Sequence, residues 1–396
     1  MAETEAGAAD WDFQDVRDTD ARYDSYKVLR RRCPVPLSFD GNTGAPVRSV
    51  MRYRDAQDVL RDPATFANSK RTRMHIRRPP LESDPPEHPQ IRRALQPFWT
   101  PPAVKAFEPT SRRLVRELLD PLIAAGEGDL AAGFSRPLPA QVLLTFMGQP
   151  AEDWAYIKRH SDDVRPIIFT SQAQRDLYAN ADAEMWDYSR RMVEDREANP
   201  RDPKTDIVAC LLSTEIDGAP MDRDLVLGTV RLIIAAGHDS TTQALNICIH
   251  HLATRPDHQD HLRRNPEAIR AAIEEILRYR SPVTTMPRHV NTDVEIAGTA
   301  IAAGSILHVC FASANHDPEI FDRPDECILD RKPNPHMVFG QGIHGCLGAP
   351  LARQEMLVGL SSLLQRTKGF GLSGEPGRMK GHHLGYDALP MWIEPA

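Results

Sequence analysis

Apolar positions recur at helical spacing along most of this chain, broken by polar stretches rich in Pro, Gly and Asp. The period predicts helices at Asp20–Arg32 and Tyr53–Arg61, then near 90–98, 103–125, 137–147, 151–160, 173–198 and 204–214. The strongest run extends from Asp222 to Thr254 and stops before Pro256. At 1.5 Å per residue it is roughly 50 Å long, enough to cross a globular molecule. Another helix is punctuated by Asn265 as a cap and Pro266 in the first turn, and it runs to Arg280 before Ser281-Pro282. From Arg288 to His308 the pattern becomes β-like, with Val290, Val294, Ile296, Ile301 and Ile306 around Gly298 and Gly304. Asn68–Pro89 and Asp317–Pro335 read as long irregular connections, Ala349–Thr367 as a last helix, and the tail through Trp392 as β-like. The fold class predicted is mainly α with a small β lobe. No Gly/Ser-rich linker or repeat interrupts the chain, so residues 21–396 are expected to form a single domain behind an acidic, loosely ordered segment 1–20.

Composition narrows the class. Hydrophobic residues make up 41% and charged residues 26% of the 396 positions, as in a globular protein, and a net charge of −7 gives no general reason to expect nucleic acid. The N-terminus lacks the apolar core of a signal peptide, and no stretch approaches the run of about 18 apolar residues that spans a bilayer. A cytoplasmic protein is expected. Six cysteines at 33, 210, 248, 310, 327 and 346 form no Cys-x-x-Cys pair, which suits a reducing compartment and no disulfide framework.

Only Cys346 has unusual surroundings, in Phe339-Gly340-Gln341-Gly342-Ile343-His344-Gly345-Cys346-Leu347-Gly348. Three glycines before it and one after let the backbone turn tightly and approach a flat ligand. The segment leads into a helix at Ala349-Pro350, where backbone N–H groups and the helix N-terminus favour a thiolate. A buried structural cysteine or a zinc ligand paired with His344 are the other readings, but zinc wants more ligands at short spacing. A thiolate so placed can bind iron and push electron density onto it. The segment resembles the haem-binding signature of the cytochrome P450 family, Phe-Gly-x-Gly-x-His-x-Cys-x-Gly.

Other motifs extend the resemblance from about Asp84 to Trp392. Glu275 and Arg278 share a helix face and are similar to the family's structural ion pair; the third basic residue of that network is absent from Pro324-Asp325-Glu326-Cys327, and Arg323 or Arg331 stands in for it. Ala236-Gly237-His238-Asp239-Ser240-Thr241-Thr242 looks like the family's oxygen-activation motif in mid-helix. Gly costs about 1 kcal/mol in a helix interior, so Gly237 needs a reason, and a local bulge that makes a groove for dioxygen and water supplies one. The resemblance gives Asp239, with Ser240 or Thr241, the delivery of protons. It makes His88, Arg92, Arg288 and His344 partners of the haem propionates, groups that need charge-assisted bonds.

The resemblance implies haem b (iron protoporphyrin IX) between the long central helix and the Cys346 loop and helix. It implies a monomeric monooxygenase that inserts one atom of O2 into a small organic molecule, with electrons from a separate ferredoxin and ferredoxin reductase. Arg92, Arg93, Arg112, Arg113 and Arg353 are candidates for a basic face toward an acidic ferredoxin. Residues expected at the pocket are Ile234, Val283, Thr285, Met286, His382 and His383, with Lys70, Arg71, Arg73, His75 and Arg77 on the preceding loop. Their polarity points to a polar, carboxylated or phenolic substrate. Two other readings stay open: peroxide-driven or coupling chemistry on the same haem, and a non-enzymatic haem sensor.

Overall fold

The computed structural model describes residues 19–39, 44–69, 76–163, 171–379 and 384–396. Helices lie at Thr19–Arg32, Tyr53–Arg61, Glu87–Leu95, Pro101–Ala125, Pro137–Phe146, Trp154–Asp163, Gln172–Ala198 and Ile207–Leu212, each within a few residues of its expected place. Segment 1–18 lies outside the described residues. Most buried apolar side chains join one large cluster, with two smaller clusters beneath the N-terminal helix and a five-stranded sheet. That sheet runs Leu37–Phe39, Pro46–Val50, Ile306–Cys310, Thr285–Val290 and Phe66–Ala67; Ile306–Cys310 is parallel to Pro46–Val50 and the other pairs are antiparallel.

Two expectations are corrected. The run from Asp222 to Thr254 is not one helix but two, Arg223–Ala236 and Asp239–Ala253, parted at Gly237-His238. A Cβ on Gly237 would lie 2.8 Å from Leu143 Cδ1, so the break follows from close packing as well as from backbone freedom. His238 departs from helical geometry at φ −124°, and its Nδ1–H donates to Ile234 O at 2.7 Å. Thr242 Oγ1 in turn donates to His238 O at 3.0 Å, so side chains satisfy backbone groups around the break. Asn265 does not cap the next helix. Its Nδ2 donates back to His261 O, and a short turn, Pro266–Ala268, precedes the helix Ile269–Tyr279.

The element that fixes the rest is Glu275, whose carboxylate is fully buried. Arg278 binds it in a two-pronged bridge at 2.8 and 2.9 Å, and Arg331 Nε lies 3.0 Å from both of its oxygens. Ile328 N–H adds a bond of 2.8 Å. Arg278 also donates to the carbonyls of Asn315, Pro324 and Glu326 at 2.8 Å each, which binds the irregular 317–335 connection to the helix Ile269–Tyr279. Arg331 is therefore the third basic residue, while the exposed Arg323 pairs with Asp322 and Glu326. Removing one partner of a buried ion pair leaves an uncompensated charge and costs about 3–5 kcal/mol. Arg278→Met should lose stability on that scale and Arg331→Met less, while Arg323→Met should stay within about 0.5 kcal/mol of wild type. Urea midpoints of the three variants check the order.

Candidate active site

From this anchor the chain enters the Cys346 loop. Asn315 carries the connection forward, bonding Ser281 Oγ and accepting from Met337 N–H. The helix Tyr53–Arg61 braces the loop from outside. Tyr53 donates to Pro335 O at 2.6 Å, and Gln341 is held between Gln57 and the Tyr53 hydroxyl. Gly340 and Gly342 both sit at φ +69°, and a Cβ on Gly342 would come within 2.1 Å of Leu60 O. Only glycine fits under that carbonyl. Cys346 N–H then donates to Phe339 O at 2.7 Å, which closes the turn before the helix Ala349–Gln365.

Cys346 faces an internal cavity, so its sulfur has open space on one side although protein surrounds it at longer range. Burial raises the thiol pKa. The N–H groups of Gly348 and Ala349 and the charges of Arg92 and Arg353 oppose the rise, and burial prevails. A bound metal ion would reverse the balance, since a coordinating thiol is deprotonated outright.

The cavity wall collects most of the residues singled out from the sequence: His88, Arg92, Ala236, Gly237, Ser240, Thr241, Val283, Met286, Arg288, Phe339, Gly340, His344, Cys346 and Gly348. Its polar side chains are largely cationic or able to become so. His88 is 2% exposed, neither ring nitrogen is hydrogen-bonded among the described residues, and its ring packs edge-on against His344 at 4.5 Å. Burial, His344 and Arg92 together lower its pKa to about 4. Arg92 has no carboxylate partner among the described residues, and burial lowers its pKa too. Buried donors of this kind call for acceptors, and anionic ones above all. A flat group carrying two carboxylates and a metal that takes sulfur fits this donor set.

The cytochrome P450 family profile matches residues 141–369. The chain belongs to the cytochrome P450 family. It is 35% identical over 347 residues to "Cytochrome P450 109" of Bacillus spizizenii, covering 86% of this chain and 82% of the relative. To a steroid C26-monooxygenase of Mycobacterium tuberculosis it is 30% identical over 396 residues, covering 98% and 97%. Among solved structures it is similar to CYP109E1 of Bacillus megaterium in complex with testosterone, with a TM-score of 0.86 and 30% identity over 95% of this chain and 99% of that one. This P450 chain is an oxidoreductase of the monooxygenase type with a haem-iron cofactor. Among the described residues, no helix is long and apolar enough to cross a membrane.

Several expected positions fall elsewhere. Asp239 does not line the cavity; its Oδ1 is 2.6 Å from Lys158 Nζ, and both residues are buried. Lys158 also approaches Asp162 at 3.5 Å, and Asp162 binds the part-exposed Arg136. Ile234 is buried in the core, and Leu232 and Ile233 take the cavity position, because one residue along a helix is a turn of about 100°. Thr285 points away from the cavity that Met286 and Arg288 line, as strand alternation requires. Glu275 and Arg278 lie in the supporting network rather than on the wall. His382 and His383 are outside the described residues, as are Lys70, Arg71, Arg73 and His75. Arg77 is engaged by Glu87 in a two-pronged bridge at 2.9 Å. Of the supposed basic face, Arg353 is bound by Glu274 at 2.8 Å twice, Arg112 by Glu108 and Arg113 by Glu117.

Sequence reasoning missed two groups, Lys158 and Glu355. Each was detectable as a charge on the apolar side of a helix, Lys158 beside Ile157 and Glu355 among Leu351, Met356 and Val358. Glu355 lines the cavity, is 1% exposed and has no partner for Oε2 among the described residues. Burial alone pushes its carboxyl well above the usual 4.5. A carboxyl raised in the folded state stabilises fully below the unfolded value, and the contribution is lost as pH rises above it, by up to about 1.4 kcal/mol per pH unit. Glu355→Gln cannot titrate there, so its stability should gain on wild type as pH is raised from about 5 to about 8 in urea unfolding. A constant gap between the two proteins would refute the assignment.

Proposed function

We propose that the chain is a haem-thiolate monooxygenase that holds haem b, with Cys346 as the iron ligand and with residues 21–396 working as one domain. The observation that carries the reading is that Cys346, the Ser240 and Thr241 hydroxyls, two arginines and two histidines share one cavity. When bound, haem supplies the reductive activation of dioxygen. His88, Arg92, Arg288 and His344 would hold its carboxylates, and Phe339, Gly340 and Gly348 would line the cavity beside Cys346. Ala236 and Gly237 line the same cavity, and a Cβ on Gly237 would collide with Ile233 O and Leu143.

Protons reach this space through the chain's own groups. Asp162 is half-buried, Lys158 Nζ lies 3.5 Å from it, and Asp239 Oδ1 lies 2.6 Å beyond. A rotation of the Asp239 side chain away from Lys158 brings a carboxylate toward Ser240 and Thr241. The Ser240 hydroxyl holds a long bond of 3.4 Å to Ala236 O, weak enough for it to turn toward an oxygen in the cavity.

The substrate is a small organic molecule that the enzyme hydroxylates, dealkylates or epoxidises. Leu81, Leu143, Leu232, Ile233, Val283 and Met286 line the cavity, which suits an apolar body. The steroid named for the Mycobacterium tuberculosis relative and the testosterone bound to CYP109E1 are bodies of that kind. The expectation of a polar, carboxylated or phenolic substrate rests on loop 70–75 and on His382 and His383, which lie outside the described residues. Electrons come from a separate ferredoxin and its reductase, in the cytoplasm and with the enzyme a monomer. Surface pairs such as Arg112 with Glu108 are worth little and can exchange for the carboxylates of an acidic partner.

The reduced protein exposed to carbon monoxide should show a Soret band far to the red of ordinary haem proteins, lost in Cys346→Ser. An ordinary band would mean a neutral ligand and end this reading. With a turned-over substrate, Ser240→Ala should divert several times more electrons to hydrogen peroxide than wild type, read as peroxide released per NADH consumed. Lys158→Met, which removes the buried amine 2.6 Å from Asp239 Oδ1, should cost about 3–5 kcal/mol in unfolding stability.

A further inference from the structure

The helix Asp239–Ala253 presents two different faces. Ser240, Thr241 and Ala244 look into the cavity. Gln243, Asn246 and His250, at intervals of three and four, grip the strand Tyr386–Ala388 instead. Tyr386 N–H donates to Gln243 Oε1 at 3.0 Å, and Asn246 Nδ2 donates to Tyr386 O at 2.7 Å. The Tyr386 ring stacks on His250 with centroids 4.2 Å apart and planes at 17°. The phenol oxygen is 3.0 Å from His250 Nδ1. With rings so nearly parallel it lies off the imidazole plane, so the stack is the main contact.

Gln243 and Asn246 are 2% and 0% exposed, so each bond is sheltered from water and leaves an unpaired buried group if lost. Gly385, next to the gripped residue, leaves the space that Gln243 fills; a Cβ there would fall 2.0 Å from Gln243 Oε1. One residue earlier, Leu384 N–H donates to Pro282 O at 2.9 Å, and Pro282 and Val283 form another wall of the cavity. The limb 384–386 is thus a strut. One end is fixed to the back of the central helix and the other to the wall that faces its front.

We propose that Gln243 and Asn246, with His250, are positioning residues that set the width of the substrate cavity through this strut, and so determine how large a molecule it admits. The inference rests on the reading of Cys346 as the haem ligand. Neither side chain touches the cavity, so their effect on ligands is indirect. Releasing the strut lets the Pro282–Val283 wall move relative to Thr241 and Ala244, and bulky ligands sense that where small ones do not.

The test is a spectral titration of the purified haem protein with two probes that bind iron through the same nitrogen, imidazole and 4-phenylimidazole. Gln243→Met keeps the length of the side chain but cannot accept from Tyr386 N–H, and Asn246→Leu cannot donate to Tyr386 O. Both should leave the Kd for imidazole within twofold of wild type and change the ratio of the two Kd values at least fivefold. Gln243→Glu retains the acceptor and should restore the wild-type ratio. If a buried-face variant fails to fold, Gly385→Ala forces the same limb outward from the strand side and should shift the ratio alike. An unchanged ratio in folded variants, or a parallel loss for both probes, overturns the proposal. The carbon monoxide spectrum of each variant separates this from failure of the haem-thiolate reading: a red-shifted band with an unchanged ratio condemns only the strut.

Discussion

The buried carboxylate of Glu275 is the constraint on which the site depends. A charge with no exposure is tolerated because two arginines, a backbone N–H and the Asn334 amide meet it. Those arginines are not idle once paired. Arg278 and Arg331 also donate to carbonyls along residues 315–326, a stretch with almost no regular structure to satisfy its own backbone. The ion network thereby does for the irregular connection what a sheet ladder would do elsewhere. It delivers the chain to Met337 and Phe339 in one conformation, and the Cys346 turn can be built from there.

The central helix shows how local disorder of the hydrogen-bond ladder becomes useful. Gly237 packs against Leu143 where a larger residue would collide, and His238 and Thr242 satisfy carbonyls around the break. The next turn then divides its duties. Its hydroxyls face the cavity, its acid is drawn back to Lys158, and its amides hold the C-terminal strand. A helix has faces about 100° apart per residue, so adjacent residues in one short motif can serve three different neighbours.

The cavity itself is under electrostatic tension. His88 and Arg92 sit where burial disfavours their charged forms, and Glu355 sits where burial disfavours its own. An anionic ligand relieves the first two and leaves the third protonated. Such a ligand binds the folded state alone, so its binding energy adds to stability by mass action. Binding and folding of this protein should therefore be strongly linked.

Much was legible in the sequence because it is local. Helical periods placed eight helices within a few residues, the glycines around Cys346 announced a tight turn, and the order of His88, Arg92, Glu275, Arg278, Arg288 and Cys346 carried the family. What failed was whatever depends on partners distant in the chain. Asp239 reads as a cavity acid until Lys158, 81 residues away, is seen to hold it. Arg323 and Arg331 are equivalent in sequence, and only the path of the 317–335 connection brings one of them to Glu275. Ile234 and Ile233 differ by a single helical step, too fine for a periodicity argument to phase across a broken helix. The sequence by itself determined the class of fold, the tight turn that carries Cys346 and the set of arginines and histidines that the cavity collects, since each is written in residue type and short spacing. Only the tertiary structure decided which charges pair, which face each residue shows and what braces the cavity wall, because long-range contacts are set by packing rather than by neighbours in the chain.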